Sequence, residues 1–164
     1  MAPIRITAAH FSSDTVEFFR LLHRHSVRYL VVGGEAVIFH GHSRLTGDVD
    51  FFFDRSAENA HDLFAALFEF WEGDIPGLKS VAELSEPGLV VQFGVPPNRI
   101  DLLNAIDGVD FGEAWVQRET ALLVDEDSEV PIQFIGLDSL IENKETAGRP
   151  KDLEDLQYLR HRQR

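Results

Sequence analysis

Two aspartates separated by a single residue are the first feature of the sequence that could do chemistry. Asp48 and Asp50 alternate with the apolar residues Val49 and Phe51, a pattern typical of a β-strand with one buried face. Residues two apart project to the same side of a strand, so both carboxylates would lie together. Like charges held that close repel unless a cation lies between them. Because Mg²⁺ binds one or two carboxylates together with phosphate oxygens and water, the pair predicts a magnesium site, with Mn²⁺ as the alternative ion.

A glycine pair and a third acid extend this site. Gly33-Gly34 follows an apolar run and precedes a helix-like stretch, where glycines let the backbone approach a ligand and direct free N–H groups at an anion. Asp101 lies between Ile100 and Leu102 on a candidate neighbouring strand. Its carboxylate would complete a two-metal arrangement or activate an attacking hydroxyl. Together these residues predict phosphoryl transfer.

Hydrophobic periodicity predicts the strands that position the acids. β-branched and apolar runs with alternating patterns indicate strands. They cover residues 28–32, 48–53, 89–93, 99–103, 120–124 and 130–134. The Pro96-Pro97 turn suits a hairpin between 89–93 and 99–103, and the acidic loop 125–129 separates the last strand pair. We therefore expect one α/β domain with a mixed sheet.

Helical spacing and capping residues predict the helices. The expected ranges are 14–25, 35–40, 56–70 and two C-terminal helices separated near residue 149. Capping boxes are predicted for the pairs Asp14/Glu17 and Ser139/Glu142. Gly148 would end the first C-terminal helix and Pro150 would begin the second. The buried face of 56–70 is expected to hold Leu63, Phe64, Leu67 and Phe68.

Composition narrows the class of protein. The 164 residues lack cysteine, which excludes disulfides and thiolate metal sites. No apolar run approaches the roughly 20 residues that span a bilayer, so we expect a cytoplasmic protein with no membrane partner. The net charge of -13 argues against non-specific duplex binding. Cations are concentrated in residues 1–50 and 142–164, where an anionic substrate would be received.

In order and spacing, these motifs resemble the nucleotidyltransferase superfamily. Its pattern is an apolar residue with Gly-Gly or Gly-Ser, a spacer, Asp-apolar-Asp/Glu-apolar, and a later apolar-Asp-apolar. A closer likeness is to minimal nucleotidyltransferases and AbiEii-like toxins of type IV toxin–antitoxin systems. Those proteins carry Gly-Gly-x-Ala, then Gly, Arg and Thr before the aspartates, and a C-terminal Lys with Gly-Arg-x-Lys-Asp. The corresponding residues here are Gly33 to Ala36, Gly41, Arg44, Thr46, Lys144 and Gly148 to Asp152.

The resemblance implies a nucleotidyltransferase-like mixed β-sheet flanked by helices, as one domain over 1–164 with a C-terminal helical segment at 139–164. It also implies magnesium-dependent transfer of a nucleoside monophosphate from a nucleoside triphosphate to an unknown acceptor hydroxyl on a protein, a tRNA end or a small molecule. The implied metal and catalytic residues are Asp48, Asp50 and Asp101, with Asp101 as third ligand or base. The implied nucleotide-binding residues are Gly33, Gly34, Arg44, Thr46, Lys144, Arg149 and Lys151. For a toxin, a cognate antitoxin would be a further partner.

One residue departs from the pattern and keeps an alternative open. Glu35 follows the glycine pair, where many relatives carry a small or neutral residue. It would repel a triphosphate, or else face solvent or pair with Arg44. The alternative is a catalytically degenerate nucleotidyltransferase-fold binding or partner protein. The histidines show no metal-ligand spacing, and helix surfaces or loops are the expected places of His23, His25, His40 and His42.

Overall fold

The computed structural model describes residues 2–96 and 98–163. These residues form a mixed seven-stranded sheet and the helices that flank it. The strands are β1 (Ile4–Thr7), β2 (Tyr29–Val32), β3 (Asp48–Phe53), β4 (Val90–Phe93), β5 (Arg99–Leu103), β6 (Glu119–Val124) and β7 (Glu129–Phe134). Their order is β1-β6-β7-β2-β3-β5-β4. Strands β1/β6, β2/β7 and β3/β5 are parallel, and the other neighbours are antiparallel. The predicted mixed α/β fold is confirmed, and β1 is an additional strand.

Six α-helices accompany the sheet in the described part of the chain. They are α1 (Ser13–Arg24), α2 (Gly33–Phe39), α3 (Ala57–Phe70), α4 (Phe111–Val116), α5 (Leu137–Ala147) and α6 (Pro150–Gln163). Short 3₁₀ helices cover Ala8–His10 and Val81–Ser85. The glycine pair forms the first turn of α2 rather than a separate turn before it. Across residues 2–96 and 98–163, every helix is too short or too polar to cross a membrane.

Both predicted capping boxes are wrong. The Ser12 hydroxyl caps α1 by accepting a hydrogen bond from the Thr15 N–H at 3.2 Å, so Asp14 lies inside the first turn. Helix α5 begins at Leu137 after Gly136, which places Ser139 within its first turn. In each case the helix begins earlier than the capping pattern predicted.

The predicted ends of the C-terminal helices are confirmed. Gly148 ends α5 in a left-handed conformation, and Pro150 begins α6.

The β4–β5 hairpin forms as predicted, although Pro97 of its expected Pro96-Pro97 turn lies outside the described residues. On its other side β5 pairs with β3, the strand that carries the aspartate pair.

An aromatic cluster fixes which face of β3 is buried. The Phe51 ring contacts Phe18, Phe19 and Tyr29, with ring centroids 5.1, 5.3 and 5.6 Å away. Val49 lies on the same buried face. Because side chains alternate along a strand, Asp48 and Asp50 project to the opposite face, as predicted.

Helix α3 differs from its predicted burial at one position. Leu63 and Leu67 are fully buried and Phe64 is partly buried, but Phe68 is 54% exposed. Phe68 instead lines an open cavity together with His25 and Gly73. Its exposure shows that four apolar residues at helical spacing overstate the width of this contact.

Candidate active site

The pairing of β3 with β5 brings the three predicted acids together. In the parallel register Asp50 lies opposite Asp101, and Asp48 lies opposite Arg99. The three carboxylates therefore face one end of the sheet, beside the C-terminal end of β2 and the start of α2. Neither the distance in sequence nor the strand pattern alone fixes this register.

A polar cavity of about 510 Å³ covers these carboxylates. Its lining includes every predicted site residue except Thr46, namely Gly33, Gly34, Arg44, Asp48, Asp50, Asp101, Lys144, Arg149 and Lys151. Thr46 lies directly against Gly34. A cavity of similar volume over α3, about 560 Å³, exposes mainly apolar surface and contains none of these residues. The polar cavity is therefore the candidate active site.

Glycine is required at both positions of the pair. Gly33 has a φ of +64°, and a Cβ atom there would collide with Oδ2 of Asp50. A Cβ atom at Gly34 would collide with the hydroxyl of Thr46. The turn thus has the geometry expected of a backbone that approaches the acids closely.

Asp50 is the acid whose protonation is most perturbed. Burial is the main cause that raises the pKa of Asp50 to about 7, and the nearby carboxylates of Asp101 and Asp48 contribute to this rise against the opposing charge of Arg99. Within residues 2–96 and 98–163, the buried Oδ1 atom of Asp48 has no hydrogen-bond partner. Crowded carboxylates and an unpaired buried oxygen are what a cation would relieve.

Arg99 is a site residue that the sequence reasoning missed. Its Nη2 lies 2.9 Å from Oδ2 of Asp48. Its Nε and Nη2 donate to the two oxygens of Asp101 at 2.8 and 3.1 Å. The available signal was its position two residues before Asp101, which places both side chains on one face of β5.

The donor set fits a divalent cation in its chemistry. Three carboxylates converge, one oxygen is unpaired and one carboxylate has a raised pKa, which suits a hard ion that prefers oxygen ligands. As the side chains are placed in residues 2–96 and 98–163, no group of three acidic or histidine residues is arranged to hold a metal ion. In this arrangement the Arg99 guanidinium neutralises two of the acids instead.

Two acids on α6 hold the cations of the cavity wall. The buried Lys144 ammonium lies 3.0 Å from Asp152 and 3.1 Å from Asp155. Arg44 donates to Asp155 at 3.2 Å, and the Arg149 Nε donates to Asp152 at 2.7 Å. Burial opposes ionisation of Asp152, but hydrogen bonds from Arg149 and Lys144 hold its pKa below the ordinary value. We predicted the cations from the sequence, whereas the function of Asp155 was missed.

Glu35 does not line the candidate cavity. It is buried, and its carboxylate lies 2.8 Å from Nε2 of His10. We expected Glu35 either to face solvent or to pair with Arg44, and both expectations are wrong. Its carboxylate contacts the N-terminal segment rather than the lining of the candidate cavity.

One of the four histidine placements needs correction, whereas His42 lies in the loop after α2 as predicted. His23 is exposed on α1 and His25 caps its end, as predicted. His40 is instead buried, with Nε2 at 2.8 Å from the carbonyl oxygen of Ile135. The His42 ring stacks on Tyr158 with centroids 3.7 Å apart. These contacts join residues far apart in sequence, so local patterns could not reveal them.

Comparison with known sequences places the chain in a family. No curated protein matches it significantly. A family profile described as "Nucleotidyl transferase of unknown function (DUF2204)" matches residues 12–163, a span that includes every predicted site residue. The match bears out the superfamily resemblance, while the narrower AbiEii-like relationship stays a prediction. Since the match extends from the cap of α1 to the end of α6, the chain belongs to this nucleotidyl transferase family.

Proposed function

We propose that the protein is a magnesium-dependent nucleotidyltransferase that moves a nucleoside monophosphate from a triphosphate to an acceptor hydroxyl. The observation that carries this proposal is the convergence of Asp48, Asp50 and Asp101 with Gly33-Gly34 in one polar cavity. Family membership supports the same reaction class. Positioning and charge neutralisation account for most catalysis of this kind.

In this proposal the acids bind the divalent ion and the glycines contact the phosphates. Asp48 and Asp50 would hold the divalent ion, with Asp101 as the third acid beside them. A bound ion would supply charge neutralisation at the phosphates and at the leaving pyrophosphate. Gly33 and Gly34 would accommodate the phosphates, because both line the cavity and contribute no side chain to it.

The cations of the cavity wall would contribute unequally. Lys144 and Arg44 are already paired with buried acids, so they would shape the wall more than grip the substrate. Arg149 is also paired with buried Asp152, but its side chain is 72% exposed. Lys151 is exposed on the first turn of α6. Charge-assisted contacts to phosphate are strong, so these two side chains would contact the triphosphate.

Isothermal titration tests the proposed site. ATP, CTP, GTP and UTP are titrated with magnesium and with EDTA into the wild-type protein and into Asp48→Ala/Asp50→Ala. The matched control is Glu58→Ala/Asp62→Ala, which removes the same charge from α3. We expect magnesium-dependent binding of at least one triphosphate, lost in the first variant and kept in the control. Absence of binding to all four, or equal binding by the first variant, contradicts the proposal.

Arg99 favours a second candidate function, a nucleotide-binding partner protein without catalysis. Its guanidinium contacts Asp48 and Asp101 and so supplies positive charge where a transferase needs an ion. Such a protein would bind a triphosphate equally well in EDTA and in magnesium, and would release no pyrophosphate. Pyrophosphate release measured beside the titration therefore separates the two functions.

We further propose, from the AbiEii-like motifs alone, that the protein is the toxin of a toxin–antitoxin pair. A cytoplasmic location is a separate proposal. Growth arrest on induced expression, relieved by a gene adjacent to its own and absent for Asp48→Ala/Asp50→Ala, would support the toxin. Unimpaired growth with abundant active protein would contradict it.

A further inference from the structure

A second, small cavity adjoins the candidate active site. Its volume is about 90 Å³, and it shares Asp48 and Arg99 with the large cavity. The remaining walls come largely from the N-terminal segment and α2, and include His10, Ser12, Thr15 and Glu35. Asp48 therefore borders both the small cavity and the cavity that holds the other two acids.

The wall of this cavity carries a histidine–carboxylate pair. Nε2 of His10 lies 2.8 Å from Oε2 of Glu35. Glu35 is 7% exposed, whereas the His10 side chain is 40% exposed. A carboxylate partner favours the tautomer in which Nε2–H donates, which leaves the lone pair on Nδ1. Glu35 therefore prepares His10 to accept a proton.

The size and lining of the cavity limit what it can receive. A water occupies about 30 Å³ of liquid, so the space suits a few waters or one hydroxymethyl group. The hydroxyls of Ser12 and Thr15 are 3.0 Å apart and supply polar contacts. A slender alcohol, such as a serine or threonine side chain or glycerol, would enter, while a ribose at an RNA end would be held outside.

Asp101, the other candidate base, is poorly suited to that task. Both of its oxygens accept hydrogen bonds from Arg99, so they are already occupied and less available to an acceptor hydroxyl. Among the described residues, no Lys or Arg side chain forms a hydrogen bond with the His10 ring. The charged groups that face it are Glu35 from α2 and, across the small cavity, Asp48 from β3 and Arg99 from β5.

We propose that the small cavity is the acceptor subsite, that it takes a slender alcohol, and that His10 oriented by Glu35 removes the proton of that alcohol. The inference rests on the proposed nucleotidyltransferase function and names its acceptor class. The hydroxyl oxygen forms a bond to the α-phosphorus while the bond from that phosphorus to the β-phosphate oxygen breaks. The hydroxyl proton passes to Nδ1 of His10 and then to solvent, and pyrophosphate leaves with the electron pair of the broken bond.

The test follows transfer of label from α-³²P triphosphates in magnesium. The acceptor probes are glycerol, N-acetylserinamide, N-acetylthreoninamide and an RNA hairpin with a free 3′ end, so the arms separate small alcohols, side-chain alcohols and RNA. The proteins are wild type, His10→Ala, Glu35→Gln and the control His61→Ala, which removes an exposed histidine from α3. Triphosphate affinity is measured for each protein by titration.

We expect transfer to at least one slender alcohol and none to the RNA. His10→Ala should lower that rate by about 10²- to 10⁴-fold, the usual contribution of a general base, with unchanged triphosphate affinity. Added imidazole should restore part of the rate in His10→Ala, Glu35→Gln should lose less, and His61→Ala should match wild type.

The contrary outcomes are distinct. If wild type binds no triphosphate, the proposed function itself fails. If it binds triphosphate but labels only RNA, or labels none of the probes, the acceptor inference is overturned while the nucleotide site stands. Equal transfer by His10→Ala and wild type overturns the assignment of His10.

Discussion

Replacement of Asp50 with asparagine is expected to stabilise the protein at neutral pH in the absence of divalent ions. The ordinary pKa of the side chain is 3.8, and the folded protein raises the pKa of Asp50 to about 7, with burial as the main cause. The folded state therefore holds the proton more tightly than the unfolded state does. Stability is highest when the carboxyl is protonated and falls as pH rises from near 4 to near 7.

The magnitude follows from the two pKa values. A tenfold difference in proton affinity corresponds to about 1.4 kcal/mol, so ionisation of Asp50 costs the fold at most about 4 kcal/mol. Asparagine has nearly the same shape and no charge. We expect a gain of about 2 to 4 kcal/mol at pH 8, which raises Tm by about 5 to 15 °C in a chain of this size, and little gain near pH 4.

Urea unfolding in EDTA at several pH values between 4 and 8 measures this difference. The control is Asp62→Asn, which makes the same substitution at an acid on α3 outside the site. A stability difference between Asp50→Asn and wild type that is constant across this range, or a loss of stability at pH 8, would refute the reasoning. Magnesium should stabilise wild type and not the variant, because asparagine lacks the charge that binds the ion.

Three further predictions concern stability in urea unfolding. Gly33→Ala places a side chain at a positive φ and against Asp50, so it should lower the free energy of unfolding by about 2 kcal/mol or more. It should also abolish triphosphate binding in titration, and wild-type stability would contradict this prediction. Lys144→Met leaves Asp152 buried without its ammonium and should cost about 3 to 5 kcal/mol, so a loss under 1 kcal/mol would count against the buried pair. Asn104→Ala removes hydrogen bonds to four backbone groups and should cost about 2 to 4 kcal/mol, which a neutral substitution would disprove.

Local patterns predicted the elements that carry the site. Alternation in residues 48–53 and 99–103 placed both strands, and their agreement with β3 and β5 is close. β1 was missed because its residues are mostly exposed and polar or charged residues interrupt it, so it lacks the continuous apolar run that marks β2. Helix α4 was missed although Asp110 and Glu113 carry a usable capping signal, and the Asp110 carboxylate does accept from the Glu113 N–H.

The contacts within the site were harder to predict than its residue types. The acids and glycines were found because their chemistry and spacing are encoded within short stretches. Arg99, Asp155 and the His10–Glu35 pair depend on which strands and helices meet, and His10 is 25 residues from Glu35. Such contacts are decided by packing across the sheet, which no single stretch of sequence contains.

The pairing of the wall cations with Asp152 and Asp155 has a consequence for how a substrate arrives. These acids cancel much of the positive charge that would otherwise extend from the cavity into solvent, and the whole chain carries a net charge of -13. A free triphosphate diffusing toward the cavity therefore meets repulsion rather than electrostatic steering. Salt screens such repulsion, so its association rate should rise with ionic strength, opposite to the behaviour of proteins that attract their substrates over long distances.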